Sequence, residues 1–487
     1  MSRRFSNRIN TLLYPTEAQS KTTREQIIMD HETEKEKVKK IKWPQWIAGT
    51  GVTLLLLQIG MMSSWSSPYV AQLTSPGSQI PMTMDMASWV VSLINLGRLF
   101  GAVSGAVAVN YLGTKTTILV TSLPIALCWL FTIVANRVEW LYAARFLGGV
   151  SLGKIYSSFS LYLGEIADPT IRGALVVLAM GGLSIGNLIM GIMGAYLSLE
   201  ISASVALVFC IILMIIFIWL PESPYHLVKI KAENRARASI LWYHRDCDVE
   251  FELQSLKKFI ETNNSLPFID VVKEFRYTHI WKAQMLVFVL FVYSQLSGMN
   301  NVMFYMETIL RNAQVTAIEP AVVVIISTAA GIVSSMISMF LIDKYGRRIM
   351  MLVACFNSAV SMIGLSTTFQ LLDAGYADIQ GLPIFSMIFF QVATFMGVLS
   401  IPTAILGEIF PPHIKCVAGC FGSIVAGVFA FLSTSTYQPL IHLVTEKYVY
   451  YIYSLLLMTA VPFTIFCMPE TKGKSLQQIQ EDLTKKG

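Results

Sequence analysis

An all-α membrane protein with twelve transmembrane helices in two six-helix bundles is predicted by three features: composition, recurring apolar runs and the placement of basic residues. Of 487 residues, 54% are hydrophobic and 14% charged, with a mean hydropathy of +0.59, whereas soluble domains run near a quarter charged. So few charged side chains cannot cover a soluble protein of this size. Apolar stretches of about 20 residues recur along nearly the whole chain, the length a helix needs to cross roughly 30 Å of hydrocarbon at 1.5 Å per residue. A net charge of +6 would suit a nucleic-acid binder only if Lys and Arg gathered on one soluble face. They gather by loop instead, so the expected partner is the lipid bilayer and not nucleic acid.

In chain order the apolar segments run over 46–66, 86–108, 116–136, 140–162, 174–198 and 202–220, then, after a polar stretch, over 283–305, 320–342, 349–371, 383–407, 417–441 and 448–468. The predicted organisation is an N-terminal tail over 1–45, a six-helix bundle over 46–220, a helix-patterned linker over 221–282, a second bundle over 283–468 and a C-terminal tail over 469–487. The first forty-five residues hold ten Lys or Arg and no apolar run, so neither a cleavable signal peptide nor a core is expected there. Of 36 Lys and Arg, 30 fall in the tails and even-numbered loops, three in odd-numbered loops (Arg137, Arg311, Lys447) and three within spans (Arg98, Arg145, Lys154). Positive loops stay in the cytoplasm, so both termini and the linker are expected there. The sequon Asn263-Asn264-Ser265 falls in the linker and is expected to stay unmodified. The seven cysteines show no metal-ligand spacing and read as buried, reduced small hydrophobes. No metal or cofactor is expected.

Two motifs mislead. Gly148 to Lys154 reads Gly-x-x-x-x-Gly-Lys, but Ile155 stands where a phosphate loop needs a magnesium-binding hydroxyl, and the run lies inside a span. Gly182 to Gly186 matches a nucleophile elbow with no strand before it. Close helix packing through small residues explains the second better.

The two halves carry matching polar marks at their linker-side ends. Asp343-Lys344-Tyr345-Gly346-Arg347-Arg348 joins spans eight and nine, and Asn110 to Lys115 occupies the equivalent turn between spans two and three. Tyr162-Leu163-Gly164-Glu165, with Arg172 following, ends span four; Gly407-Glu408-Ile409-Phe410-Pro411, with Lys415 following, ends span ten. Pro221-Glu222-Ser223-Pro224 ends span six and Pro469-Glu470-Thr471 ends span twelve. On these marks the chain resembles the sugar porter family of the major facilitator superfamily over about residues 46–480, most of all insect facilitated trehalose and hexose transporters. The resemblance implies a major facilitator fold and facilitative sugar transport by alternating access, with no bond chemically changed. It also implies a breakable cytosolic latch of Glu165, Arg172, Glu222, Asp343, Arg347, Arg348, Glu408, Lys415 and Glu470. The first-half turn departs from the family's Asp, Arg and Arg at Asn110, Tyr111 and Thr114.

A carrier's site is expected near mid-membrane on helices interrupted by Gly or Pro. Span seven fits, with Ser294-Gln295-Leu296-Ser297-Gly298-Met299-Asn300-Asn301, because Gly298 permits a break and amides both donate and accept. The resemblance assigns sugar contacts to Gln295 and Asn300, with Asn301 adjacent. Ser294 and Thr403 replace a Gln and a Trp at other family contact positions. Met180, Gly331 and Ala426-Gly427 replace further polar or bulky family residues, which implies a less polar, roomier site suited to a disaccharide such as trehalose or to a non-sugar solute. Arg98, Arg145 and Lys154 are intramembrane cations and so functional candidates. Arg145 matches a family position, snorkelling at a helix end is the plain reading of Arg98, and Lys154 allows an anion-binding role. The alternatives to a sugar uniporter of the plasma membrane are a carrier for an organic anion and a transport-inactive sensor.

Overall fold

A computed structural model describes residues 42–245, 247–263, 273–376, 379–410, 412–474 and 478. The N-terminal tail to residue 41, Asn264 and Ser265 of the sequon, the side chains of Lys415 and Cys416 and most of the C-terminal tail lie outside the described residues. The first span is α1 (Trp43–Ser64) continued by α2 (Ser66–Leu73); spans two to six are α3 (Met84–Leu112), α4 (Thr114–Ile133), α5 (Val138–Ile166), α6 (Arg172–Tyr196) and α7 (Leu199–Trp219). Three short helices follow, α8 (Pro224–Lys229), α9 (Glu233–Tyr243) and α10 (Val249–Asn263). Span seven is α11 (Thr278–Leu296) with α12 (Met299–Asn312), and spans eight and nine are α13 (Pro320–Tyr345) and α14 (Arg347–Asp373). Span ten is α15 (Gly381–Ala393), a π-turn at Thr394–Val398 and α16 (Ser400–Ile409), and α17 (Pro412–Val444) and α18 (Glu446–Phe466) complete the set. This is the twelve-span, all-α architecture the apolar runs predict.

Eleven of the twelve are apolar enough to cross a membrane on composition and length alone. The twelfth, α5, has ample length at 29 residues, but Arg145, Lys154 and a run of serines lower its apolarity. It is accepted because those groups turn inward or pack on neighbours. Helix starts are capped where the loops are polar: Thr83 Oγ1 accepts from Met86 N at 3.3 Å, with Asp85 in the same turn of α3, which satisfies one orphan N–H and complements the helix dipole.

Within the first half, Gln58 is fully buried, donating to the Ala206 carbonyl of α7 at 2.9 Å and accepting from Trp129 Nε1 of α4 at 2.7 Å. In hydrocarbon such amide bonds replace water that is not there. Both false motifs are packing surfaces, as expected for the second. A Cβ at Gly153 would overlap the Arg98 carbonyl of α3, and one at Gly182 would overlap the Thr53 carbonyl of α1. The expectation for the cysteines holds for Cys128, Cys210 and Cys355, which are buried, and not for Cys420 and Cys467, which are exposed on helix surfaces.

Hydrogen bonds joining the two halves lie toward the membrane face away from α8–α10. Glu307 N of α12 donates to Ser67 Oγ of α2 at 3.1 Å, Ser88 Oγ of α3 to the Thr434 carbonyl of α17 at 3.4 Å, and Asn95 Nδ2 to Thr434 Oγ1 at 3.4 Å. His442 of α17 stands 3.4 Å from Asp85 of α3 at the same end. On the opposite face the charged turns of the described residues bond within their own half, as described next.

Candidate functional site

A cleft between the halves, about 450 Å³ with its open space, is lined by Ser63, Ser64 and Ser67 of the first span, Asn187 of α6, Thr328 of α13 and Gln391 of α15, with Met303, Met306 and Phe395 among the apolar walls. The side-chain oxygens of Asn187 and Gln391 are buried without a hydrogen-bond partner. These two amides border the cleft from opposite halves, and an acceptor buried without a partner costs free energy that a hydroxyl-bearing solute reaching it would remove. The cleft residues were not foreseen from the sequence. The signals were two serine pairs flanking Trp65, Ser63-Ser64 and Ser66-Ser67, and single amides at 187 and 391 in otherwise apolar spans.

Span seven breaks as its glycine implies. Gly298 takes φ +81, the left-handed region that only glycine enters freely, and it caps α12. Asn300 Nδ2 donates to Gln295 Oε1 across this break at 2.9 Å, with both side chains buried. Asn300 lies one turn from Met303 of the cleft wall, so the pair sits beside the cleft. Asn301 does not: it is fully buried and donates to the Ser433 carbonyl at 3.2 Å and Tyr453 Oη at 2.7 Å, tying α12 to α17 and α18. Ser294 is buried and Thr403 is exposed with its hydroxyl turned back to the Ser400 carbonyl at 2.7 Å, and neither borders the cleft. The room expected at Gly331 is taken by Phe395 and Gln391, whose carbons stand 3.0 and 3.1 Å from where a Cβ would be, and that at Gly427 by Leu99 at 2.6 Å.

At the linker face the repeated motifs form two matching latches. Gly113 and Gly346 turn with φ +90 and +91, each leading into a helix whose first N–H groups meet a carboxylate. Glu222 accepts from Lys115 N and Thr116 N, both at 2.9 Å; Glu470 accepts from Arg347 N at 3.0 Å and Arg348 N at 3.1 Å. An anion at a helix N-terminus satisfies orphan donors and complements the dipole. In the second half Arg347 pairs with Glu408 at 2.8 Å and with Asp343 at 3.3 Å, while Arg348 donates to the Ile465 carbonyl. In the first half Thr114 stands where Arg347 does, and its hydroxyl donates to Glu165 at 2.6 Å. Arg172 donates to the Ala167 carbonyl at 3.3 Å, closing the end of α5. Burial holds His226, packed beside Gly113 and Glu222, below the ordinary histidine pKa.

The intramembrane cations separate into three cases. Arg145 is buried, donating to the Met62 carbonyl at 2.8 Å and to Ser66 Oγ, with its guanidinium 4.9 Å from the Trp65 ring centre. It therefore holds the join of α1 and α2, a structural part. Lys154 lies 100° round α5 from Gly153, which faces α3, on the stripe of exposed Leu161 seven residues on. It packs its stem on Gly105 away from the cleft. Arg98 is not at a helix end: it is mid-way along α3, half-buried, 5.1 Å from the Tyr156 ring centre.

The profile of the family described as "Sugar (and other) transporter" matches residues 29–483. A "Facilitated trehalose transporter Tret1" of Apis mellifera ligustica is 28% identical over 90% of this chain and 87% of its own, and that of Polypedilum vanderplanki 29% over 91% and 88%. Among solved structures, the inward open conformation of the xylose transporter XylE from E. coli superposes with a TM-score of 0.73 at 18% identity, covering 90% of this chain and 99% of that one. A structure of the proton:xylose symporter XylE bound to 6-bromo-6-deoxy-D-glucose follows at 0.69 and 17%, over 90% and 99%. The fold is that of the major facilitator superfamily.

Proposed function

The chain belongs to the sugar (and other) transporter family, and from that premise we propose that it carries a neutral or substituted sugar, trehalose or a hexose, through the plasma membrane by facilitated diffusion. It is a transporter and not an enzyme: binding and a change of exposure do all the work. The observation that carries the reading is the cleft between the halves, bordered on opposite walls by the amides of Asn187 and Gln391, whose oxygens are buried without a partner. A polyol bridging them draws the halves together, which favours closure at the linker face and release of the far-face contacts at Ser67, Ser88 and Asn95. The latches at Glu408–Arg347 and Glu165–Thr114 tie helix ends within each half, so each half moves as one body. Gln295 and Asn300 extend the amide surface below the cleft.

The first span, Trp43–Leu73, contains no Asp or Glu, so no carboxylate there can exchange one proton per cycle. Purified protein in proteoliposomes should equilibrate labelled trehalose or glucose across the membrane and stop. Accumulation driven by an imposed pH gradient and collapsed by a protonophore would defeat this reading.

We assign the linker helices and both tails to the cytosol, on the 30 basic residues that lie there. In intact cells, cysteines introduced at Ser78 and Gln380 should react with an impermeant maleimide and one at Asn263 should not. Labelling at 263 with protection at 78 inverts the orientation.

A further inference from the structure

Arg98 is a cation mid-way along a membrane span with no acidic partner among the described residues. It is the fifteenth residue of the 29 in α3. Trp89, Phe100, Val103, Val107 and Tyr111, five of the seven large exposed hydrophobic side chains of that helix, lie within about 40° of the direction opposite Arg98 at 100° per residue, with Met86 about 60° from it and only Leu112, in the last turn, on the Arg98 side. Arg98 therefore points away from lipid, toward the interior that α3 borders with α5 of its own half and α17 of the other. Its side chain keeps some exposure there, and the π-face of Tyr156 is its contact among the described residues, with no carboxylate beside it. Two other inward-reaching charges have polar partners: Arg145 donates to a carbonyl and a hydroxyl, and Glu307 pairs with Arg311 at 2.6 Å. A desolvated guanidinium with only a ring for company costs several kcal/mol, and a cation–π contact returns about 1–2. An anion arriving with the solute supplies the rest.

We propose that Arg98, backed by Tyr156, binds a carboxylate on the transported solute, so that this carrier takes acidic sugars such as hexuronates or aldonates in preference to neutral hexoses. The position lies on α3 beside its contacts with α17 of the other half: Ser88 and Asn95 hold Thr434, and Leu99 fills the space at Gly427. A planar fork there suits a carboxylate better than a hydroxyl, since charge-assisted bonds are about twice as strong. Lys154 does not converge on the same point, because it occupies the other flank of the α3–α5 seam.

The inference rests on the carbohydrate-carrier reading, and one experiment tells the two apart. Proteoliposomes containing the full chain are given labelled D-glucuronate, D-gluconate, D-glucose and trehalose. Wild type should take up the two acids faster than glucose, Arg98→Gln should lower the acid-to-glucose uptake ratio about ten- to hundredfold, the size of one lost charged hydrogen bond, and Arg98→Lys should restore part of it. Glucose or trehalose uptake with no preference for acids, and a ratio unmoved in Arg98→Gln, would overturn the role of Arg98 and leave the carrier reading intact. No uptake of any of the four overturns both. If Arg98→Gln does not reach the vesicles, thermal stabilisation of the wild type decides: glucuronate should raise the melting temperature more than equimolar glucose, and equal or absent shifts reject the proposal.

Discussion

The double variant Asn187→Leu, Gln391→Leu is expected to lower carbohydrate uptake about a hundredfold while leaving the protein at least as stable as the parent. Each amide offers a bound solute one acceptor, and losing a hydrogen bond of roughly 1.4 kcal/mol is a factor of ten, so the two together give about two decades. The stability half of the forecast separates a ligand from helix glue. The oxygens of Asn187 and Gln391 have no partner in the protein, and replacing an unsatisfied buried amide by an apolar side chain of similar size removes a penalty. Asn301→Leu is the contrast: its oxygen is likewise unpartnered, but its amide nitrogen donates to Ser433 and Tyr453, so that change should lower the melting temperature and leave half-saturation alone if the protein survives. Initial-rate uptake and thermal unfolding in detergent read both quantities. A double variant that transports normally, or one that unfolds, would remove these amides from the site.

That contrast also marks how far the residues alone can be read. The twelve spans were legible because hydrocarbon leaves the backbone no alternative to a helix, and twenty apolar residues are an unambiguous length. The paired linker-face turns were legible because a turn that seats a carboxylate on two backbone N–H groups uses a glycine and an acid at fixed spacing, and both recur in the two halves. Thr114 shows the limit: the missing Arg read as erosion, yet the hydroxyl reaches Glu165 and keeps the turn closed. The cleft was harder. Span seven advertises its amides, but whether an amide faces a cavity or a neighbouring helix depends on packing, and Asn300 and Asn301 differ by 100° of rotation, with opposite fates. Asn187 and Gln391 are single polar residues in apolar spans, a pattern that helix glue produces as often. Arg98 was misplaced because the chain shows only that a cation lies within a span; its depth and direction come from the stripe of exposed side chains opposite it.

Gly153→Leu should unfold the carrier, or leave so little of it folded that no transport is measured. The seam between α3 and α5 is built of Gly97, Gly101 and Gly105 against Gly149 and Gly153, and a Cβ at Gly153 would overlap both the Arg98 carbonyl and the Ala102 amide, while one at Gly149 would overlap the Ile94 carbonyl. These obstacles are backbone, so no side-chain rotation relieves them and the helices must move apart. Forced overpacking typically costs about 1–3 kcal/mol and more when the backbone must shift, and separation here also breaks the contact that lets helices associate without a hydrophobic driving force. The control lies on the same helix: Gly164 has open space around its Cα, so Gly164→Ala should be tolerated and, by adding helix propensity, stabilise by up to about 1 kcal/mol. Fluorescence-detected size exclusion after heating compares the three proteins directly. A Gly153→Leu protein that elutes and melts like the parent would mean that α3 and α5 do not meet at this seam, and the placement of Arg98 over Tyr156 would fall with it, since the same register of the two helices sets both.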